Sequence, residues 1–321
     1  CSVPVLCTYK ARGMVADSAP WCAGVATGAT IESPLLAEAD LVVGVGLDPV
    51  ELIPAPWPYT APVVLLGGWS IDDSTWFAAR LAAEIVGDLV ESLTTAGQLL
   101  SSEWPAHTGA EHRTRAQLEV RAAVPDLPIA LVPQDVVSIA RELAPPNTIA
   151  TVDAGAHMLV AMPLWTVDEP CRLLISSGLA TMGFALPAAI AAAEVNPDTP
   201  VICFTGDGGL SMVLGELETL ARRWLHVIVV VFDDSSLSLI AAKQAPSGHG
   251  GEQAVRYLRT DYAGLAHSLG VHGIRVDDEL TYRRELDDAL HRSGPTLIDA
   301  VVDPSAYSAV LDAIRGPRRD S

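Results

Sequence analysis

Short runs rich in Val, Ile and Leu alternate with longer stretches of helical periodicity, and this alternation constrains the fold of the chain more than any other feature. Strands separated by helices read as βαβ units, which pack as a parallel sheet with helices on both faces. The fold class expected is therefore α/β. In the first part, residues 3–9, 40–46 and 62–66 read as strands. Ser33 reads as the cap of a helix carrying Pro34 at its first position, and Asp88 as the start of another through Val90, Leu93 and Leu100. A second series reads as helix 134–143, strands 148–153 and 172–176, helix 183–195, strand 200–205, helix 209–224 and strand 226–232. It closes with helix 262–269, strand 271–276, helix 279–293 and strand 296–302. Between the two series the periodicity weakens, leaving one amphipathic helix at 111–123 and prolines at 105, 125 and 128. The expected organisation is a domain at 1–100, a linker with one helix at 101–128 and a second domain at 129–321.

The 321 residues suffice for two domains with proper cores. Their formal net charge of −19 removes the basic footprint that phosphate backbones and anionic bilayers require, so nucleic acid and membrane are not expected partners. The longest apolar stretch, 183–193, is too short to span a bilayer and contains Pro187. Cys1, Cys7, Cys22, Cys171 and Cys203 are odd in number and lack CxxC or Cys/His spacing, which argues against a disulfide framework or zinc site and for a reduced, cytoplasmic setting. A chain that starts on Cys rather than Met, without a basic-then-apolar leader, reads as a truncated piece of a longer one.

The chemistry concentrates in Cys203-Phe-Thr-Gly-Asp-Gly-Gly-Leu-Ser-Met, followed two dozen residues on by Phe232-Asp-Asp-Ser-Ser. A strand delivers Gly206, Asp207, Gly208 and Gly209 to its C-terminal end, where a helix carrying Leu210, Val213, Leu214, Leu217, Leu220 and Ala221 on its buried stripe begins. Glycines let the backbone approach an anion, the helix start favours it, and Asp207 can hold a divalent cation against it. Alone, the same turn also fits ordinary strand-to-helix geometry with Asp207 as a cap. The next strand ends in Asp233-Asp234, and adjacent parallel strands put their C-terminal ends side by side, so Asp207 and Asp234 together favour a hard-cation diphosphate site.

These residues resemble the thiamine diphosphate enzymes, and within them the acetolactate synthase-like large subunits. GDGG at 206–209 with FDD at 232–234 is similar to the family's diphosphate signature, Gly-Asp-Gly followed by Asn-Asn or Asn-Asp; Asp233 departs from the first Asn. The resemblance implies magnesium held by Asp207, Asp234 and the backbone carbonyl of Ser236. Val152-Asp-Ala-Gly-Ala-His157 looks like the family's DxGxH turn, which implies cofactor contacts for Asp153, Gly155 and His157 beside those of Gly206, Gly208 and Gly209. Ser177-Gly-Leu-Ala-Thr-Met-Gly-Phe-Ala-Leu-Pro187 resembles the segment whose Met, here Met182, wedges the cofactor into a V shape, with the Ala180 carbonyl accepting from the aminopyrimidine. A structural histidine and a core methionine are the plain alternatives for His157 and Met182. Lys243 and Gln244 fall where the family contacts substrate, Lys243 at a place where many members have Trp. A cation there suits a more polar or anionic acceptor, or is a surface lysine.

Residues 8–13 and 39–50 resemble the family's central domain, so the fold implied is two doubly wound parallel-sheet domains: a Rossmann-like central domain truncated at its start, and a thiamine diphosphate-binding domain. Leu47 stands where these enzymes place an Arg that holds FAD, which argues against FAD. The implied activity is decarboxylation or carboligation of a small 2-oxo acid by a homodimer or tetramer. The activating Glu of the family belongs to a separate N-terminal domain, and no catalytic residue is assignable in this chain; Glu216 and Glu218 fall on the helix after the diphosphate turn. The expectation is a fragment inactive by itself. The alternative is a non-catalytic or split cofactor-binding module that needs a partner polypeptide.

Overall fold

The structure, a computed structural model, describes residues 2–52, 57–71, 77, 80–124, 130–176, 178–244 and 252–316. Cys1, Ser177 and the prolines at 125 and 128 lie outside the described residues.

In the first part, β1 (Val5–Cys7) pairs in parallel with β2 (Cys22–Val25), and a separate sheet has the order β3 (Val42–Val45), β4 (Val63–Gly67), β5 (Leu81–Val86), also parallel. Helix α1 (Ser33–Leu36) starts one position earlier than expected: Glu32 is its N-cap, and Ser33 gives its hydroxyl to a hydrogen bond with Tyr59 instead. Helix α2 (Leu89–Leu99) is capped as read, with Asp88 accepting from the Glu91 N–H at 2.9 Å, a contribution of about 1 kcal/mol. Helix α3 (Thr108–Ala122), in the segment read as a linker, packs against β2 and buries His112, Ala116 and Val120; His112 Nδ1 meets the Ala23 carbonyl and Gln117 donates to the Pro163 carbonyl.

The second part holds a six-stranded parallel sheet. Its elements are α4 (Pro133–Leu143), β6 (Ile149–Val152), α5 (Ala156–Leu164), β7 (Leu173–Ile175), α6 (Ala185–Val195), β8 (Val201–Gly206), α7 (Asp207–Met212), α8 (Glu216–Arg223) and β9 (Val227–Asp233). There follow α9 (Ser238–Gln244), α10 (Glu252–Val255), α11 (Tyr262–Ser268), β10 (His272–Val276), α12 (Glu279–His291), β11 (Thr296–Val301) and α13 (Ala306–Arg315). The strand order is β10-β11-β9-β8-β6-β7, and every ladder is parallel. One face packs on α4, α5, α12 and α13 through Val136, Val160, Tyr282 and Val310; the other packs on α6, α8 and α11 through Leu186, Leu217, Leu220 and Tyr262. Buried on both faces, β8 and β9 read as continuous apolar runs, as central parallel strands must.

The single helix expected over 209–224 is two helices broken at 213–215. The stripe splits accordingly, with Leu210, Leu217 and Leu220 buried and Val213, Leu214 and Ala221 only packed at the margin. Chain order reverses between β6 and β8: β6 leads outward to β7, β8 leads inward to β9. A crevice opens at the C-terminal ends of strands at such a switch point. Among the described residues no helix is long and apolar enough to cross a membrane.

Candidate functional site

A cavity of about 190 Å³ lies beyond the ends of β6, β8 and β9. Its walls are Gly155 and His157 after β6, the turn Gly206 to Gly209 after β8, Asp234, Ser236 and Ser238 after β9, and Ala180 with Met182 from the turn before α6. Of the positions singled out in the sequence, ten line this cavity: Gly155, His157, Ala180, Met182, Gly206, Asp207, Gly208, Gly209, Asp234 and Ser236. Asp153, Lys243 and Gln244 are not among its lining residues. Leu47 lines a separate small cleft with Gly46, Gly67, Gly68 and Glu84, and none of its described lining residues is basic.

Asp153 is buried under the site rather than in its wall. Its Oδ1 accepts from the N–H groups of Phe184 (2.7 Å) and Ala185 (3.0 Å), and its Oδ2 from the Gly183 N–H (3.0 Å) and the Thr205 hydroxyl (2.8 Å). With four donors the carboxylate is saturated, and it ties the start of α6 to the end of β8. Gly209 lies over it: a β-carbon there would run into Asp153 Oδ2. Gly208 faces the other way, where a β-carbon would stand 2.7 Å from Leu237, 3.1 Å from the Tyr257 hydroxyl and 3.3 Å from Met182. Only a glycine leaves this approach to the backbone open.

His157 is buried, stacked on Phe232 with ring centroids 5.2 Å apart, and its Nε2 has no hydrogen-bond partner among the described residues. Burial, partly opposed by the Asp153 charge, pulls its pKa down to about 4, so the imidazole is neutral. A buried polar ring atom without a partner beside a glycine turn fits a ligand oxygen.

The two aspartates are held in complementary ways. Asp207 Oδ2 accepts from the Ser235 N–H at 2.7 Å, and its Oδ1 from the Gly208 N–H at 2.7 Å and the Tyr257 hydroxyl at 2.5 Å. Asp234 accepts from the Ser236 N–H at 3.0 Å and the Ser238 hydroxyl at 2.6 Å. Burial pushes the Asp207 carboxyl up to about 6, against the hydrogen bonds it receives. Burial likewise pushes Asp234 up to about 7, with the Asp207 charge adding to it. Among the described residues no three His, Cys, Asp or Glu side chains group as a metal cage. A hard cation would be met here by two carboxylates, backbone oxygen and ligand oxygens, the donor set that magnesium prefers. The Asp207 charge raises Asp234, and the Asp233 charge raises Asp207; a cation bound between the carboxylates would relieve both.

Two of the four non-glycine residues at positive φ among the described residues, Ala180 (φ 46°) and Ser235 (φ 57°), flank this cavity. Such conformations cost about 1–3 kcal/mol each and persist where the surroundings impose them. Ser235 makes the sharp turn that aims its own N–H at Asp207, and Ala180 turns its peptide beside Met182 at the mouth. Tyr257, Tyr262 and Tyr307 escaped the sequence reading. Tyr262 donates to the Asp207 carbonyl at 3.0 Å, and Tyr307 reaches the cavity from α13. Their signal is tertiary, since each lies at least fifty residues beyond the turn it serves.

Residues 153–300 match the family profile described as thiamine pyrophosphate enzyme, C-terminal TPP binding domain. Acetolactate synthase isozyme 1 large subunit of Escherichia coli (strain K12) is 34% identical over 158 residues, 49% of this chain and 28% of that protein. Acetolactate synthase large subunit of Parasynechococcus marenigrum (strain WH8102) is 29% identical over 317 residues, 94% of this chain and 50% of that protein. Acetolactate synthase of Bacillus subtilis (strain 168) is 26% identical over 283 residues, 84% of this chain and 48% of that protein. The chain spans about half the length, or less, of these curated relatives.

Proposed function

We propose, for a chain that is acetolactate synthase-like and carries a thiamine pyrophosphate enzyme's C-terminal domain at residues 153–300, that it is the diphosphate- and magnesium-binding part of a decarboxylase or carboligase acting on a small 2-oxo acid. The observation that carries this reading is the convergence, in one cavity, of an unpartnered buried His157 Nε2, the open backbone at Gly208 and the carboxylates of Asp207 and Asp234. In this reading Asp207, Asp234 and the Ser236 carbonyl hold the cation. His157 donates to a phosphate oxygen, the amides of the 206–209 turn face the diphosphate, and Met182 and the Ala180 carbonyl meet the rest of the cofactor. Asp153 serves from beneath, by fixing the turn. When bound, the cofactor supplies an acidic thiazolium carbon that adds to a 2-oxo acid and acts as electron sink.

The protein's own share is orientation and charge. A neutral His157 has a single ring proton, which its bond to the Asp153 backbone uses in the ligand-free protein, so donation to a phosphate oxygen requires that proton to move to Nε2 or the ring to gain a second one. The glycine turn offers donors at fixed positions, which cost no reorganisation as charge moves. Among the described residues lining the cavity there is no glutamate, and this favours completion of the active site by another subunit of a homodimer or tetramer, or by a separate polypeptide. A cytoplasmic location, a more polar or anionic acceptor facing Lys243, and Leu47 at the place of the family's FAD-holding Arg, which weighs against FAD, belong to the same proposal. A Lys243→Ala variant of the assembled enzyme is expected to change the ratio of acceptors used; an unchanged ratio removes Lys243 from the reading.

The direct test is thermal unfolding with and without magnesium and thiamine diphosphate together. The pair is expected to raise the melting temperature, and Asp207→Ala to abolish the rise. A rise that persists in Asp207→Ala overturns the cation assignment, and no rise in the unaltered protein overturns the cofactor assignment.

A further inference from the structure

The Tyr257 hydroxyl lies against the carboxylate assigned to the cation and beside the glycine turn assigned to the diphosphate. It donates to Asp207 Oδ1 at 2.5 Å, and it stands 3.1 Å from where a β-carbon on Gly208 would project, in the space that the glycine keeps open. A carboxylate oxygen has two lone-pair directions, and Oδ1 also accepts from the Gly208 N–H, so both are filled. The other oxygen, Oδ2, is held by the Ser235 N–H from the loop that supplies Asp234 and Ser236.

Tyr257 is not there by chance of a long side chain. Its strand-like segment is bonded to that same loop: the Leu237 N–H donates to the Val255 carbonyl at 2.8 Å, the Tyr257 N–H to the Ser235 carbonyl at 3.1 Å, and Ser236 and Arg256 form an antiparallel bridge. Arg259 extends the attachment, with its Nε 3.4 Å from the Ser235 hydroxyl and 3.5 Å from Asp233. Tyr257 is 38% exposed, so the side chain has solvent to swing into without unpacking the core.

We propose that Tyr257 is a resident placeholder on the cation-binding carboxylate: its hydroxyl satisfies Asp207 in the ligand-free protein and is released when the cation and diphosphate enter. The inference rests on the cofactor reading above. Its consequence is that the protein binds its ligands more weakly than its donor set allows, by the hydrogen bond to a charged group that must first be broken. Removing the hydroxyl alone therefore strengthens binding, whereas a residue that held the cofactor would weaken it when removed.

The test is calorimetric titration of magnesium, at fixed thiamine diphosphate, into the unaltered protein, Tyr257→Phe, Tyr257→Leu and Asp207→Ala, each checked for native circular dichroism. Both Tyr257 variants are expected to bind about tenfold more tightly, since breaking a hydrogen bond to a carboxylate costs about 1.5 kcal/mol or more. Ligand binding should also perturb the near-ultraviolet tyrosine band of the unaltered protein more than that of Tyr257→Phe, a change that a purely structural residue would not produce. Unchanged or weaker binding by both variants, with Asp207→Ala silent, overturns the placeholder and leaves the cofactor reading standing. Binding by Asp207→Ala equal to that of the unaltered protein, or none by the unaltered protein and the Tyr257 variants alike, overturns both. Binding gained only on loss of the hydroxyl supports the placeholder in its extreme form.

Discussion

Thr205 donates its hydroxyl to Asp153 Oδ2 at 2.8 Å, joining the ends of two neighbouring strands beneath the glycine turn. The bond accounts for a paradox of the site: Asp153 is at the heart of the signature yet is not itself a lining residue of the cavity, supporting the wall from behind through Gly209. Asp153→Asn keeps the size but replaces one acceptor with an amide, which turns donors against the N–H groups of α6. A loss of about 2–4 kcal/mol in urea unfolding is expected. A loss under half a kcal/mol would mean the network is not structural.

The adjacent glycines should separate fold from binding. Gly209→Ala drives a methyl into the saturated Asp153 and is expected to lower stability by about 2 kcal/mol or more. Gly208→Ala meets the movable ends of Leu237, Tyr257 and Met182, so the expected cost is about 1 kcal/mol with most cofactor affinity gone. Unfolding midpoints and calorimetric titration of the same two proteins distinguish these outcomes.

Asp234, raised from 3.8 to about 7, has a pH signature of definite sign. The folded state binds a proton more tightly than the unfolded state, so this group's contribution to stability is full below pH 3.8 and is lost as pH rises through about 7. Magnesium competes with that proton, so affinity should rise as pH approaches 7 and level off above it. Asp234→Asn should flatten the stability slope over this window and weaken magnesium binding at every pH. An affinity independent of pH contradicts the assignment.

His157 has the opposite sense. Lowered from 6.5 to about 4, it resists protonation in the fold, so its contribution is present above pH 6.5 and is lost as pH falls through this range towards about 4. Titration of its ring resonances by NMR should show a neutral imidazole at pH 6. A resonance that titrates near the ordinary histidine value would remove the physical basis for a single, uncharged donor.

The strand-end aspartates and glycines were legible because each ends an apolar run and consecutive strands are usually neighbours; β8 and β9 are, which brings Asp207 and Asp234 to one cavity, whereas β7 and β8 are parted by β6. Other features resist such reading. The strand β5, Leu81-Ala-Ala-Glu-Ile-Val, is half alanine and glutamate in its centre, composition that favours helix; its pairing with β4 decides otherwise. The strand β2 and the packing of α3 on it depend on contacts such as His112 with Ala23, which no local period announces. The break at 213–215 leaves α7 with six residues, so an anion held there would meet individual amides of the turn rather than a long helix. Tyr257 arrives by an antiparallel bridge between Ser236 and Arg256, a pairing between segments whose spacing carries no periodic signal.

Most of the cavity's walls come from segments that follow β6, β8 and β9, three strands that sit side by side in space although β7, which is followed by Ala180 and Met182, intervenes in sequence. None of these walls exists until the sheet has zipped across the point where chain order reverses. A ligand that needs all three can recognise only the finished sheet. Its thermodynamic effect should fall on the rate of unfolding, with refolding proceeding at the pace of the empty chain. A cofactor held there would act on this protein as a latch on a closed structure and not as a template around which it forms.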